Sequence, residues 1–354
     1  MPATVAVVGA GVVGLATSAA LLEAGAEVHC YETAGPMTQR STGGTRIFRL
    51  AHGTPELVDL ARRAHLAYRD WDPALVGTDT TLVSGSHVAS WVEAMRAAGA
   101  AVEVHDGLSG LPDGRSGRLP VPGLDQGPVL VDPAGGAIDA AGVGRFLLDR
   151  ISPHLVTDEV IALEPGDHGV RVLGRASTTR FDACVIAAGA GTAGLAEQVG
   201  LTVGTPRNHH ARFTFGMRDP GARPPCLLDR SQAWQRGFTS YQHLAAPGQW
   251  AIGAHLESLP VDVDTVEASA AIADARELTV SYVRETLPWL EPDPVEQIYC
   301  DPPAGWGDGF VVRRSGRVLC LYGDNLFKLA PVLGSMLATA ALDGSVPGSL
   351  PPSA

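Results

Sequence analysis

Residues 4–32, TVAVVGAGVVGLATSAALLEAGAEVHCYE, form the stretch that decides the fold. An apolar run rich in β-branched residues leads through a glycine turn into a helix-like segment that ends at Gly25, and a second apolar run ends at Glu32. A strand, a helix and a strand joined by such short connections are typical of a βαβ unit in a parallel sheet. The sequence therefore predicts an α/β protein with a doubly wound, Rossmann-like sheet and a ligand at the carboxyl ends of its strands.

Three glycines and one acidic residue in this stretch match the dinucleotide-binding pattern. Gly9, Gly11 and Gly14 stand between the first strand and the helix, and Glu32 ends the second strand. Gly9 permits a tight turn, Gly11 leaves room for a pyrophosphate, and Gly14 lets helix and strand pack closely. The helix N-terminus offers N–H groups to phosphates, while Glu32 can accept ribose hydroxyls and repels a 2′-phosphate. The pattern predicts FAD or NAD and disfavours NADP, and the glycines alone do not decide between the first two.

The composition favours an enzyme over a nucleic-acid-binding or membrane protein. A chain of 354 residues with 45% hydrophobic content can bury the cores of two packed domains. A net charge of −12 without any cluster of basic residues argues against nucleic acid and anionic membranes as partners. Five cysteines, an odd number without metal-ligand spacing, fit a reducing compartment. No uninterrupted apolar run reaches membrane-spanning length. We therefore expect a cytoplasmic protein, a monomer, with no bound metal.

Two blocks of short strands and Gly/Pro-rich turns interrupt the βαβ pattern, at residues 81–136 and 204–297. Such a change of pattern predicts a discontinuous second α+β domain, built on an antiparallel or mixed sheet, that holds the substrate. The remainder forms the FAD-binding domain and a short tail, with these boundaries: residues 1–80, 137–203 and 298–348 for the domain, and 349–354 for the tail.

Five segments, in order along the chain, resemble the monomeric sarcosine oxidase and N-methyltryptophan oxidase group. They are STGGTRIFR at 41–49 (SxxGDTRxxR in the group), VDPAGGAID at 131–139 (EPxxGxL), VIAAGAG at 185–191 (VxxxGAW), GAHLESLPVDVDT at 253–265 (GxH…DPDT) and LYGDNLFKLAPVLG at 321–334 (GFSGHGFKxxxxxG). Together with the dinucleotide motif, these landmarks cover nearly the whole chain. The resemblance implies FAD as the cofactor and a small amine or amino acid as the substrate, with O2 or another electron acceptor.

Carried over residue by residue, the resemblance implies a set of site residues. Thr45 would lie against the flavin, Arg46 and Lys328 would bind the substrate carboxylate, His255 would sit beside the flavin, and Cys300 would form a thioether to it. Lys328 is the only lysine of the chain. His255 and Cys300 also have a simpler explanation, because a histidine near a strand or a buried cysteine usually has only a structural role.

Departures from the group leave the acceptor and the substrate open. Ala251 stands where the oxidases carry a lysine that promotes reaction with O2, and Asn325 replaces the histidine of GHGFK. The implied reaction is hydride transfer from the carbon beside a neutral amine to the flavin, which gives an imine. The alternatives are a flavin dehydrogenase of the same fold, a flavin-binding protein without turnover, and an NAD-dependent amino-acid dehydrogenase.

Overall fold

A computed structural model describes residues 1–107, 124–125, 127–203, 210–255, 266–300 and 307–350. The helices are α1 (Val12–Glu23), α2 (Pro55–Trp71), α3 (Val88–Ala97), α4 (Ala140–Ile151), α5 (Thr192–Glu197), α6 (Val266–Thr286) and α7 (Ala330–Asp343). The strands are β1 (Thr4–Val8), β2 (Glu27–Glu32), β3 (Thr45–Phe48), β4 (Thr81–Gly85), β5 (Glu103–Asp106), β6 (Pro128–Asp132), β7 (Gly136–Asp139), β8 (Leu155–Thr157), β9 (Val160–Gly166), β10 (Gly169–Gly174), β11 (Thr178–Phe181), β12 (Ala183–Ile186), β13 (His210–Met217), β14 (Cys226–Arg230), β15 (Thr239–Ala246), β16 (Gln249–His255), β17 (Leu290–Cys300), β18 (Phe310–Ser315) and β19 (Val318–Gly323).

The first sheet has six strands in the order β18-β19-β12-β1-β2-β8. Its central strand β1 runs parallel to β2 and β12, and only the edge strand β18 is antiparallel to its neighbour. Val5, Val7 and Val8 of β1 are buried because helices or strands cover both faces of the sheet. The predicted doubly wound sheet is therefore confirmed, with the glycine turn at the carboxyl end of β1.

Helix α7 packs across α1 beneath this sheet. A β-carbon at Gly334 would lie 2.6 Å from the backbone carbon of Ala16, so the two helices approach too closely for any larger residue. The segment Leu326–Asp343 is long and apolar enough to cross a membrane, but 61% of it is buried inside the protein. We assign it to the core because its small residues fit the surface of α1.

The second sheet has eight strands in the order β17-β13-β16-β15-β14-β4-β6-β5. Residues of β13 and β16 alternate between its two faces. Phe213, Phe215 and Trp250 belong to an apolar core together with residues of α6. Arg212 and His243 point away from that core, and both line the cavity described below. One face of this sheet is thus a hydrophobic core, and the other carries polar groups.

A short ribbon of β3 and β7 lies where the two sheets meet, with Thr45 opposite Asp139. The chain then enters α2, which begins as expected of its sequence. Thr54 caps the helix by accepting a hydrogen bond from the Leu57 N–H at 3.4 Å, and Pro55 occupies the first turn.

Near the C-terminus, Phe310 donates its N–H to the Leu350 carbonyl oxygen at 2.6 Å, so the start of the expected tail pairs with β18.

Candidate functional site

A cavity of about 1010 Å³ connects the glycine turn with the polar face of the eight-stranded sheet. Its volume is at the upper end of the roughly 300–1,000 Å³ typical of small-molecule and cofactor sites. Gly9, Gly11 and Glu32 line it, and so does a group of basic residues. We call three of these the basic wall: Arg46, Arg212 and Lys328.

The glycine turn has the geometry that a pyrophosphate requires. Gly9 has φ +102°, and a β-carbon there would lie 2.6 Å from the Ala187 carbonyl oxygen. A β-carbon at Gly14 would lie 1.8 Å from the Gly9 carbonyl oxygen, so only glycine at position 14 lets the helix pack this closely against the turn. At Gly11 the nearest atom to such a carbon is the Ser41 hydroxyl oxygen at 3.2 Å. Gly11 therefore keeps the cavity open, while Gly9 and Gly14 shape the turn.

The Glu32 carboxylate is fixed at the end of β2 by backbone N–H groups. It accepts hydrogen bonds from Ala10 at 2.9 Å, Thr33 at 2.8 Å and Ala34 at 3.1 Å. Each carboxylate oxygen can accept more than one hydrogen bond, so capacity remains for the hydroxyls of a ribose. The glycine turn and this oriented carboxylate fit the adenosine diphosphate part of FAD.

Thr45 begins β3, and its hydroxyl contacts two residues of β15 in the eight-stranded sheet. Its hydroxyl donates to the Leu244 carbonyl oxygen at 2.5 Å and lies 2.9 Å from Nδ1 of His243. Burial and then the charge of Arg212 lower the pKa of His243 to about 3, so this imidazole is neutral at physiological pH. Sequence reasoning did not identify His243, which lies on β15 directly opposite Ala251 of β16.

Arg46 follows Thr45 and lines the cavity. Its guanidinium donates to the carbonyl oxygens of Thr45 at 2.7 Å, of Arg40 at 3.2 Å and of Thr42. The guanidinium carbon also lies 5.5 Å from the centroid of the Phe327 ring, which is a cation–π distance. These contacts hold the charge of Arg46 in place at the edge of the cavity.

Lys328 belongs to a buried ionic cluster that the sequence did not reveal. Its Nζ lies 2.6 Å from Oδ1 of Asp308, whose Oδ2 lies 2.7 Å from Nη2 of Arg49 and 3.0 Å from Nδ1 of His52. The side chains of Lys328 and Arg49 are only 6% and 7% exposed. Arg49 is the second arginine of the TRIFR segment, and that motif was the available signal for it. Nothing in the sequence around Asp308 marks Asp308 as the partner of Arg49 and Lys328.

The cluster carries one net positive charge. Burial lowers the pKa of His52 to about 3, so His52 is neutral, and the cations of Arg49 and Lys328 hold the pKa of Asp308 well below its usual range. Burial and then the charge of Arg49 lower the pKa of Lys328 to about 8. Two cations thus share one carboxylate, and the cluster can still attract an anion.

Two expected site residues have side chains outside the described structure. His255 ends β16, and Cys300 ends β17, where its backbone pairs with that of His210. The four cysteines other than Cys300 are buried free thiols. Ala251 is fully buried, and its neighbours across the sheet are Thr214 and His243.

Comparisons with known proteins agree with this architecture. The model of the family "FAD dependent oxidoreductase" matches residues 4–340. The amino acid oxidase NikD, essential for nikkomycin biosynthesis, is 21% identical in its open form with a TM-score of 0.83, over 99% of this chain and 98% of that one. L-proline dehydrogenase from P. horikoshii is 14% identical with a TM-score of 0.79, over 98% and 94% of the two chains.

Glycine oxidase from Geobacillus kaustophilus is 17% identical with a TM-score of 0.76, over 98% of this chain and 96% of that one. A search of curated proteins finds no match. The TM-scores of 0.76–0.83 to these structures show a common fold, and the family match extends over almost the entire chain. With the glycine turn and Glu32 in place to hold the cofactor, the chain belongs to the FAD-dependent oxidoreductase family and uses FAD.

Proposed function

We propose that this protein oxidises the C–N bond of a small, carboxylate-bearing amine or amino acid to an imine. The part of the chain around the six-stranded sheet would bind FAD, and the part around the eight-stranded sheet would hold the substrate. One observation carries the proposal: a single cavity extends from the glycine turn to the basic wall of Arg46, Arg212 and Lys328. Guanidinium and ammonium groups are the side chains best suited to bind a carboxylate.

FAD, when bound, supplies the acceptor for the hydride that leaves the carbon beside the amine. The contribution of Arg46 and Lys328 is to hold the carboxylate and so to fix the C–H bond in one orientation. Positioning of this kind can supply much of the rate acceleration, because the substrate no longer has to find the reactive geometry. Among the described residues of the cavity wall, we assign none to general acid or base catalysis.

The basic wall also favours the reactive form of the amine. An amine transfers hydride readily only when it is neutral, and nearby positive charges lower the pKa of an ammonium group. His243 adds no charge that varies with pH in the physiological range, because its pKa is about 3. The wall would therefore bind the carboxylate and help the amine to lose its proton.

A flavin dehydrogenase with an acceptor other than O2 is the second candidate, and Ala251 favours it. A fixed positive charge beside reduced flavin stabilises superoxide as it forms, and alanine provides none. Slow reoxidation of the reduced protein in air would support this candidate, and rapid reoxidation would argue against it.

Replacement of Arg46 or Lys328 by methionine should weaken binding of a carboxylate inhibitor and leave FAD bound. Loss of one buried charged partner commonly costs roughly 2–5 kcal/mol, which is at least tens-fold in affinity. In the native protein, binding should also weaken as the pH rises through the Lys328 pKa of about 8, where the ammonium loses its proton. This pH dependence should disappear in Lys328→Met.

Titration of the FAD-bound protein with benzoate at several pH values measures both effects. The matched control is Arg236→Met, since Arg236 is exposed and does not line the cavity. Unchanged benzoate affinity in both test variants would remove Arg46 and Lys328 from the proposed carboxylate site.

We also propose that the Cys300 thiol attaches FAD covalently. The proposal rests on the position of this cysteine at the end of β17 and on the resemblance described above. Acid precipitation should give a yellow pellet from the native protein and a colourless one from Cys300→Ala. A white pellet from the native protein, together with the intact mass of the bare chain, would contradict covalent attachment.

A further inference from the structure

Arg212 is a buried cation that has no counter-charge among the described residues. Its residue is only 4% exposed, and it lies on the cavity-facing side of β13. Within the part of the chain that the structure describes, its Nε has no hydrogen-bond partner and no carboxylate lies within ion-pair distance of its guanidinium. Burial of a charge without a partner is costly, so a ligand anion would relieve this cost.

Arg212 also lies beside Arg46. A β-carbon at Gly43 would be 3.0 Å from Nη2 of Arg212 and 3.0 Å from Nη1 of Arg46, so both guanidinium groups border the same point of the loop before β3. In the cluster on Lys328, by contrast, Asp308 already supplies a carboxylate at 2.6 Å. Lys328 is therefore partly neutralised, whereas Arg212 has no carboxylate partner among the described residues.

We propose that Arg212 is a specificity-determining residue that binds the carboxylate of the substrate, with Arg46 beside it. The inference rests on the proposed function and extends it by a residue for which the resemblance gave no role. A planar guanidinium can donate two parallel hydrogen bonds to a carboxylate, and burial at 4% exposure keeps water from competing with them.

Benzoate and benzamide form a suitable probe pair, because they differ in charge and scarcely in shape. Their affinities for the FAD-bound protein can be measured from changes in the flavin absorbance. In Arg212→Met we expect roughly 30-fold or weaker benzoate binding, the loss typical when one partner of a buried charge pair is removed. Benzamide affinity and the dissociation constant of FAD should stay unchanged, and Arg212→Lys should recover part of the benzoate affinity.

Stability provides a readout that separates ligand binding from a structural role. Because methionine removes an unpaired buried charge, Arg212→Met should be as stable as the native FAD-bound protein or more stable, in the absence of benzoate. The control is Arg218→Met, one residue beyond the same strand, where the side chain is 54% exposed and pairs with Glu291 at 3.1 Å. This control should bind benzoate normally.

Four results would overturn the inference. They are no benzoate binding by the native protein, equal losses of benzoate and benzamide affinity, weaker FAD binding with unchanged benzoate affinity, and a lowered free energy of unfolding. The third would assign the Arg212 charge to FAD instead of the substrate. Benzoate binding needs no turnover, so a protein that binds benzoate through Arg212 but oxidises no amine would refute only the proposed function.

Discussion

Asp308→Asn should destabilise the protein by about 3–5 kcal/mol, the typical cost of removing one partner from a buried ion pair. Asparagine keeps the shape of the side chain but leaves Arg49 and Lys328 buried without the carboxylate that pairs with both of them. Their side chains are 7% and 6% exposed, so water cannot replace the carboxylate. Urea unfolding at neutral pH measures the loss as a shift of the midpoint.

The control for this substitution is Asp59→Asn. Asp59 also contacts two arginines, Arg62 at 2.5 Å and Arg63 at 3.1 Å, but its side chain is 42% exposed. Exposed ion pairs contribute about 0–1 kcal/mol, so this variant should be nearly as stable as the native protein. The double variant Asp308→Asn/Lys328→Met should recover stability relative to Asp308→Asn, because one of the two uncompensated cations is gone. Equal, small effects at Asp308 and Asp59 would contradict the buried cluster.

Gly14→Ala and Gly11→Ala should fail in different ways. A β-carbon added at Gly14 would lie 1.8 Å from the Gly9 carbonyl oxygen, and this backbone atom can move only if α1 shifts on the sheet. Overpacking of this kind costs about 1–3 kcal/mol or more, and we expect a loss of folded protein with or without FAD. At Gly11 the added carbon meets only the Ser41 hydroxyl at 3.2 Å, so the chain should fold and lose affinity for FAD.

Thermal unfolding with and without added FAD separates the two effects. Gly11→Ala should unfold near the native temperature without FAD and gain little from added FAD, since a ligand stabilises only in proportion to its occupancy. Gly194→Ala is the control, because Gly194 lines the cavity within α5 and has no atom within 4 Å of its added carbon. Native-like FAD affinity in Gly11→Ala would show that the pyrophosphate does not pass this turn.

The sequence predicts the local part of this architecture well because short-range patterns encode it. The βαβ unit from Thr4 to Glu32 follows from apolar periodicity and three glycines, and the structure contains it as β1, α1 and β2. A glycine such as Gly14 is required because its β-carbon would clash with backbone only a few residues away in sequence. These features need no knowledge of the distant parts of the chain.

The contacts around the basic wall could not be predicted in the same way. Arg49 directly follows β3 and Asp308 lies just before β18, 259 residues apart in sequence, so only the tertiary fold brings them together. Arg212 stands in an apolar strand, between Ala211 and Phe213, and a charged residue there is the one available signal. It indicates that the face of β13 that carries Arg212 is not part of the apolar core. What Arg212 contacts on that face depends on β15, β16 and the loop before β3, which are distant in sequence.

The most direct test of the account is anaerobic reduction of the FAD-bound protein by matched pairs of amines. Proline and pyrrolidine differ only in the carboxylate, and further cyclic and N-methylated amino acids extend the series. We predict that at least one carboxylate-bearing secondary amine bleaches the yellow flavin absorbance, that its counterpart without the carboxylate does so far more slowly, and that an imine or its hydrolysis product accumulates. Flavin that stays oxidised with every amine, or that bleaches equally with and without the carboxylate, would contradict the proposed oxidation of a carboxylate-bearing amine.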